Sequence, residues 1–340
     1  MAATVSRRWT KRGLLELQKQ GPREVARELL PDIRERLARN RVLSFEEQAS
    51  QPRPGVIATS QFHHPLWSSP PPPRAVQRLL DNLQILHDDT HRLCTQIEDN
   101  FDQTTDHVLL STLKELRARH AGTVEHVATI VIQWLRAHGS DWKGPVESFL
   151  RHRYSLLLLC DACVKRFANK PFLAEHSLPT VVEDAALEAK LLVEGYYEEA
   201  PPVHVVGDAS AVIYEPWLAY VWTELFKNAM QKTLDQQDEL VPIVVDLSSD
   251  PWTVCDSAGP VTRLPNLQFA QTERLWDRLD DQTTYAMVRS PLQGLGVGLS
   301  LSRLVLEHFG GRLDVTKNSD EGLKVLIHWN TELDVQERLD

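Results

Sequence analysis

Three short stretches carry residues whose types and spacing suit chemistry on a phosphate. In Glu224-Leu-Phe-Lys-Asn228-Ala-Met a carboxylate and an amide stand four positions apart, so on a helix they stack on one face. Tyr220 and Gln231 continue that face, while Leu218, Val221, Trp222, Leu225 and Ala229 line the opposite, apolar side. The pair suits a divided task, since an amide oxygen can ligate a hard cation such as Mg²⁺ and a carboxylate can take a proton. By spacing alone, an ordinary amphipathic helix with a solvated polar face is the simpler reading. The second stretch, Trp252-Thr-Val-Cys255-Asp256, runs into Ser-Ala-Gly259-Pro and leaves a carboxylate at a strand end. Such an acid can accept an exocyclic amine like that of adenine, or can simply initiate a turn. The third, Gly294-Leu295-Gly296-Val297-Gly298-Leu299, directly precedes the helical run SLSRLVLEHFG. Alternating glycines let backbone approach phosphates closely, and the following helix turns its positive end towards them. A lone G-x-G-x-G is weak, but behind the other two elements, in this order, it points to a bound Mg²⁺-nucleotide.

The elements that must position these residues are legible as hydrophobic periodicity. A helix over 215–235 carries Glu224 and Asn228, a strand over 252–256 ends at Asp256, and a helix over 297–309 follows the glycines. A helix over 180–197 and strands over 203–206, 242–247, 312–316 and 324–329 complete an α/β sandwich, one mixed sheet with helices on one face. Upstream the pattern is helical: 23–40, broken at Pro31, then 74–99, 107–136 and 146–167. The stripe Leu109, Leu113, Leu116, His120, Val124, Val127, Val131, Trp134 places His120 where an apolar residue belongs. The expected class is therefore α+β with two domains, an amino-terminal four-helix bundle over 21–175 and an ATP-binding sandwich over 176–335. Residues 51–73, with four consecutive prolines at 70–73, read as an irregular excursion.

Composition excludes several classes. A net charge of −10 without a basic, aromatic-interleaved patch argues against nucleic-acid binding. No run approaches the ~18 apolar residues of a membrane span. Four scattered cysteines do not make a disulfide framework, and Cys160-x-x-Cys163, inside an apolar run, reads as buried thiols rather than a metal or redox pair. The first fifteen residues hold Arg7, Arg8, Lys11 and Arg12 and no acid. Residues 1–20 are thus either a mitochondrial targeting segment or a basic arm that starts a folded helix. P-loop, protein-kinase and Rossmann glycine patterns are all missing, so ATP chemistry needs another framework.

The order of E-x-x-x-N, strand-end Asp and G-x-G-x-G resembles the ATP-binding fold shared by histidine kinases, type II topoisomerases, the Hsp90 chaperones and MutL. More narrowly, ELFKNAM, GLGVGLSLSRLVLEHFGG, VEDAALEAKLLVEGYY and RARHAGTVEHVA resemble the mitochondrial protein kinases of the pyruvate and branched-chain ketoacid dehydrogenase complexes. The likeness covers about 105–135 and 180–330. It implies Glu224 as the general base that activates a substrate serine, Asn228 as the Mg²⁺ ligand and Asp256 as the adenine-contacting acid, with Gly259 in the loop behind it. It also implies Gly294, Leu295, Gly296, Val297, Gly298 and Leu299 as the phosphate loop, His120 as a catalytic histidine that tunes the glutamate, and an ATP lid at about 261–293. ATP and Mg²⁺ are the implied cofactors. The implied partners are a 2-oxoacid dehydrogenase complex in the mitochondrial matrix, with E1 α as substrate and the E2 lipoyl domain as a dock, and a second kinase chain in a homo- or heterodimer.

Several positions depart from the family pattern. Asp256-Ser-Ala-Gly-Pro stands for Asp-Arg-Gly-Gly-Gly, Gln231 for an arginine, Gly322-Leu323 for Gly-Thr, and Leu157 for the arginine of Tyr-Met-Ser-Arg-Ile. The sequence ends at Asp340, short of the long tail some members carry. The base and metal ligand are spared, so the expectation is a divergent serine kinase, with a weak or inactive ATP-binding regulatory relative as the alternative. A two-component histidine kinase fits poorly, because His120 is followed by Ala121-Gly122 rather than by an acid.

Overall fold

Leucine and valine at three- and four-residue spacing wind the amino-terminal half into helices whose buried faces the sequence already marks. The computed structural model describes residues 7–39, 74–121, 143–236, 239–259, 261, 264–265, 267, 298–318 and 322–339. By its contacts the chain divides into two units, one of 1–9, 13–172 and 339–340, the other of 10–12 and 173–338. Among the described residues, no helix is long and apolar enough to cross a membrane.

The first unit is all helix. After α1 (Lys11–Leu17) come α2 (Pro22–Arg39), α3 (Arg74–Asp99), α4 (Asp106–Ala121) and α5 (Lys143–Phe167). Trp9, Leu14 and Leu17 are buried, so the stretch around α1 is built into the fold. Helix α2 runs straight through Pro31, where the sequence suggests a break. Proline removes one backbone donor, but Val25, Leu29, Leu30, Ile33 and Leu37 are all buried, and packing of both halves against α5 and α3 outweighs that loss. Helix α4 buries Leu109, Leu113, Leu116 and His120, the first half of the expected stripe; Val124, Val127, Val131 and Trp134 lie outside the described residues. Cys94, Cys160 and Cys163 are free, buried thiols, and burial raises the pKa of each.

The second unit is α+β with a mixed sheet. Its elements are β1 (Ala174–Ser177), α6 (Leu178–Tyr197), β2 (Val203–Val206), β3 (Ser210–Ile213), α7 (Glu215–Gln236), β4 (Ile243–Asp246), β5 (Trp252–Cys255), α8 (Gly298–Glu307), β6 (Arg312–Asn318) and β7 (Gly322–His328). Five strands order as β2-β4-β5-β7-β6, with β2 parallel to β4 and the rest antiparallel. Period-two alternation sends Ile243, Val245, Trp252, Val254, Leu313 and Ile327 to one buried face, which α6, α7 and α8 cover, and leaves Val206 and Val244 exposed. Strands β1 and β3 pair antiparallel in a separate two-stranded sheet that the sequence does not announce, since four-residue runs carry little periodicity.

This unit also holds both extremities of its own chain segment. Thr10 bridges Gln336, Arg12 N–H donates to Leu333 O at 2.8 Å, and Arg338 N–H donates to His308 O at 2.8 Å. His308, fully buried, meets Glu337 at 3.1 Å. Lys11, 1% exposed, donates its ammonium to Asn330 O and stands over the Trp329 ring at 4.9 Å. Burial lowers its pKa to about 8, against the opposing charge of Glu332.

Candidate functional site

Helix α7 carries the two residues on which the site depends. Its buried face, from Leu218, Val221 and Trp222 through Leu225, Ala229 and Thr233, presses into the core and so turns Glu224 and Asn228 the other way. The side-chain nitrogen of Asn228 donates to the backbone oxygen of Glu224 at 2.7 Å. That bond takes up one N–H of the amide and leaves the oxygen, on an exposed residue, as the atom offered to a cation. This donor chemistry fits Mg²⁺, which takes hard oxygen ligands and keeps several waters.

Glu224 is held from two sides. Its Oε1 accepts a hydrogen bond from Lys227 Nζ at 2.5 Å, and the two side chains are only 15% and 12% exposed. Oε2 faces Gly298, the first residue of α8: a Cβ placed there would lie 2.2 Å from Oε2 and 3.0 Å from the carboxyl carbon. The missing Cβ permits this close approach, and its consequence is that the Glu224 carboxylate abuts the amino terminus of α8. Leu299 follows in the first turn of α8. Gly294, Leu295, Gly296 and Val297 lie outside the described residues, as does most of the expected lid at 261–293.

Asp256, 5% exposed, terminates β5 as expected. Its Oδ1 accepts from Leu323 N–H at 3.0 Å and from Ala258 N–H at 3.3 Å, and its backbone N–H donates to Leu323 O at 3.0 Å. Asn318 Nδ2 donates to its carbonyl at 3.3 Å. Among the described residues nothing bonds Oδ2, so one carboxylate oxygen is fixed by backbone and the other remains an acceptor. Gly322 makes this possible, because a Cβ there would lie 2.1 Å from Asp256 O and 2.5 Å from Oδ1. Where the sequence comparison stresses a missing hydroxyl at Leu323, the structure uses that residue's backbone, which any side chain supplies. Gly259 adopts a left-handed φ of 96°, and a Cβ on it would come within 3.7 Å of Gln236 Oε1 at the end of α7. Helix α7 thus meets the α8 terminus at Glu224 and the Asp256–Gly259 loop at Gln236, roughly 18 Å apart along its axis.

His120 belongs to the first unit, in its interior. Its Nε2 lies 3.0 Å from Thr90 Oγ1, its backbone oxygen accepts from Arg153 at 2.9 Å, and its ring meets His87 edge-on at 5.3 Å. Burial first, then the Arg153 charge, depress its pKa far below the ordinary histidine value, so the ring is neutral at physiological pH. The same causes bring His87 down to about 3.

Two residues of the site escape sequence reasoning. Lys227 lies beside Glu224 at a spacing that ordinary surface ion pairs share, so its partial burial is visible only in three dimensions. Gly322 reads as half of a turn, and only the register of β5 with β7 brings it onto Asp256.

No family model matches the chain. It is similar to curated kinases: the mitochondrial pyruvate dehydrogenase (acetyl-transferring) kinase of Drosophila melanogaster, at 26% identity over 252 residues, 63% of this chain and 59% of that kinase. Isozyme 3 of Homo sapiens matches at 27% over 267 residues, 68% of this chain and 63% of the isozyme. Isozyme 4 of Rattus norvegicus matches at 32% over 164 residues, 44% of this chain and 39% of the isozyme. The chain therefore spans less than two thirds of the length of these relatives. Among solved structures, the cytoplasmic segment of histidine kinase QseC matches 48% of this chain and 82% of its own, at 14% identity and a TM-score of 0.30, a likeness too slight to bear on function. These curated relatives carry one name in common, and by sequence the chain is similar, at 26–32% identity, to mitochondrial pyruvate dehydrogenase kinases.

Proposed function

We propose that this chain is an ATP-dependent serine protein kinase of the mitochondrial matrix whose substrate is a 2-oxoacid dehydrogenase component, the E1 α subunit of pyruvate dehydrogenase. The observation that carries this reading is the seating of the Glu224 carboxylate against Gly298, at the start of the helix that closes the glycine loop. The names of the curated relatives support both the reaction and the compartment.

In this mechanism Glu224 takes the proton of the substrate hydroxyl as the phosphoryl group transfers. Asn228 Oδ1 would hold Mg²⁺, which neutralises charge on the phosphates when bound. Asp256 Oδ2 accepts the adenine amine, and backbone groups of 294–299 cradle the phosphates. In the same reading His120, neutral and buried, has the catalytic histidine's role, and the first unit is the four-helix bundle of such kinases. A dimer, and docking on an E2 lipoyl domain, belong to the same reading.

The test is incubation of purified chain with labelled ATP, Mg²⁺ and separated E1 proteins of the pyruvate and branched-chain complexes. Label on the pyruvate E1 α, lost in Glu224→Gln while calorimetric nucleotide affinity persists, is the expected result. Nucleotide binding without transfer to any E1 would make the chain an ATP-binding regulatory relative instead.

A further inference from the structure

Lys227 has no place in the mechanism above, yet it makes the one hydrogen bond that reaches the Glu224 carboxylate from a described residue. A Glu and Lys three apart on a helix are usually a solvated pair worth little. Here both side chains are withdrawn from solvent, at 15% and 12% exposure. A partly desolvated, charge-assisted bond has a defined geometry and costs freedom to break. The two oxygens of Glu224 are thereby made unequal: Oε1 is committed to the ammonium, and Oε2 is turned to Gly298.

We propose that Lys227 is a positioning residue that selects Oε2 as the proton-accepting oxygen and holds it beside the α8 terminus. This rests on the reading of Glu224 as the base. Lys227 touches neither substrate nor nucleotide in this role; it acts through the carboxylate alone. A free carboxylate on a three-bond side chain samples several rotamers, and pinning one oxygen leaves the other in a single place relative to the phosphate loop.

The experiment measures phosphate transfer to E1 α, nucleotide affinity and urea unfolding for four forms: wild type, Lys227→Met, Lys227→Arg and the double variant Glu224→Gln/Lys227→Met, with Glu224→Gln as reference. Lys227→Met is expected to lower kcat at least tenfold with the Kd for Mg²⁺-ATP within about twofold of wild type, the size of a misplaced catalytic group. Lys227→Arg should restore most of kcat, and the double variant should be no slower than Glu224→Gln alone. Wild-type kcat in Lys227→Met, a rise in kcat, or a loss confined to nucleotide affinity would each overturn the proposal, the last by making Lys227 a phosphate contact. Urea midpoints of the same set need no substrate. If they show the two residues coupled while no form transfers phosphate, the kinase reading fails and the pairing stands. If they show no coupling, the pairing itself is refuted.

Discussion

Glu224 offers one oxygen to Lys227 and the other to the start of α8, and this asymmetry sets the expected response of the residues around it. Glu224→Gln should lower kcat by roughly 10²–10⁴-fold, the range for loss of a general base, with nucleotide affinity nearly unchanged in calorimetry. Gly298→Ala meets only the far end of the Glu224 side chain, which can yield. Its expected signature is a fall in kcat with little change in the urea midpoint. Gly322→Ala is different, since its Cβ meets the backbone oxygen of Asp256, which cannot swing aside. It should cost about 1–3 kcal/mol of stability by urea unfolding and weaken ATP binding together. Glu224, Asn228 and Asp256 stand out in the sequence because the proposed chemistry asks each position for a particular group. Lys227 and Gly322 are not, because their importance comes from neighbours remote in sequence or from burial, which spacing does not encode.

The elements were the most readable level. Helices α3 and α7 and strands β2 and β5 lie within a residue or so of their hydrophobic periods, since a stripe of buried side chains leaves a strong signal. Pro31 misleads because its local cost is visible in sequence while the packing that offsets it is not. Strands β1 and β3 are missed because each pairs only with the other, across four residues. Helix α8 is held by Leu301, Leu304 and Val305, all buried, so Leu304→Ala should destabilise the second unit by about 2–5 kcal/mol in urea. Because that helix starts at Gly298, nucleotide affinity should fall with it. The segment at residues 10–12 has its own signature in pH. Lys11 has a folded pKa of about 8, below the ordinary lysine value of 10.5, so between these values the unfolded chain binds more protons. Stability of the second unit should therefore rise as pH increases from about 8 to 10.5, and Lys11→Met should flatten that rise in urea titrations at stepped pH.

At the scale of the whole molecule, the sequence conveys two regions of different character, one helical and one of mixed helices and strands. It does not convey that residues 10–12 belong with the second unit, since three residues have no period to read. That allegiance has a consequence for the order of events in synthesis. Thr10 and Arg12 leave the ribosome more than 300 residues ahead of Gln336 and Leu333, which they pair with. At cytosolic elongation rates of ~5–20 residues per second the early segment waits roughly 15–60 s for its partners. The second unit consequently cannot close as a finished body before residue 336 has emerged, and a nascent chain stalled before residue 330 should remain protease-sensitive through 173–236, 239–259 and 298–318, where the released chain resists.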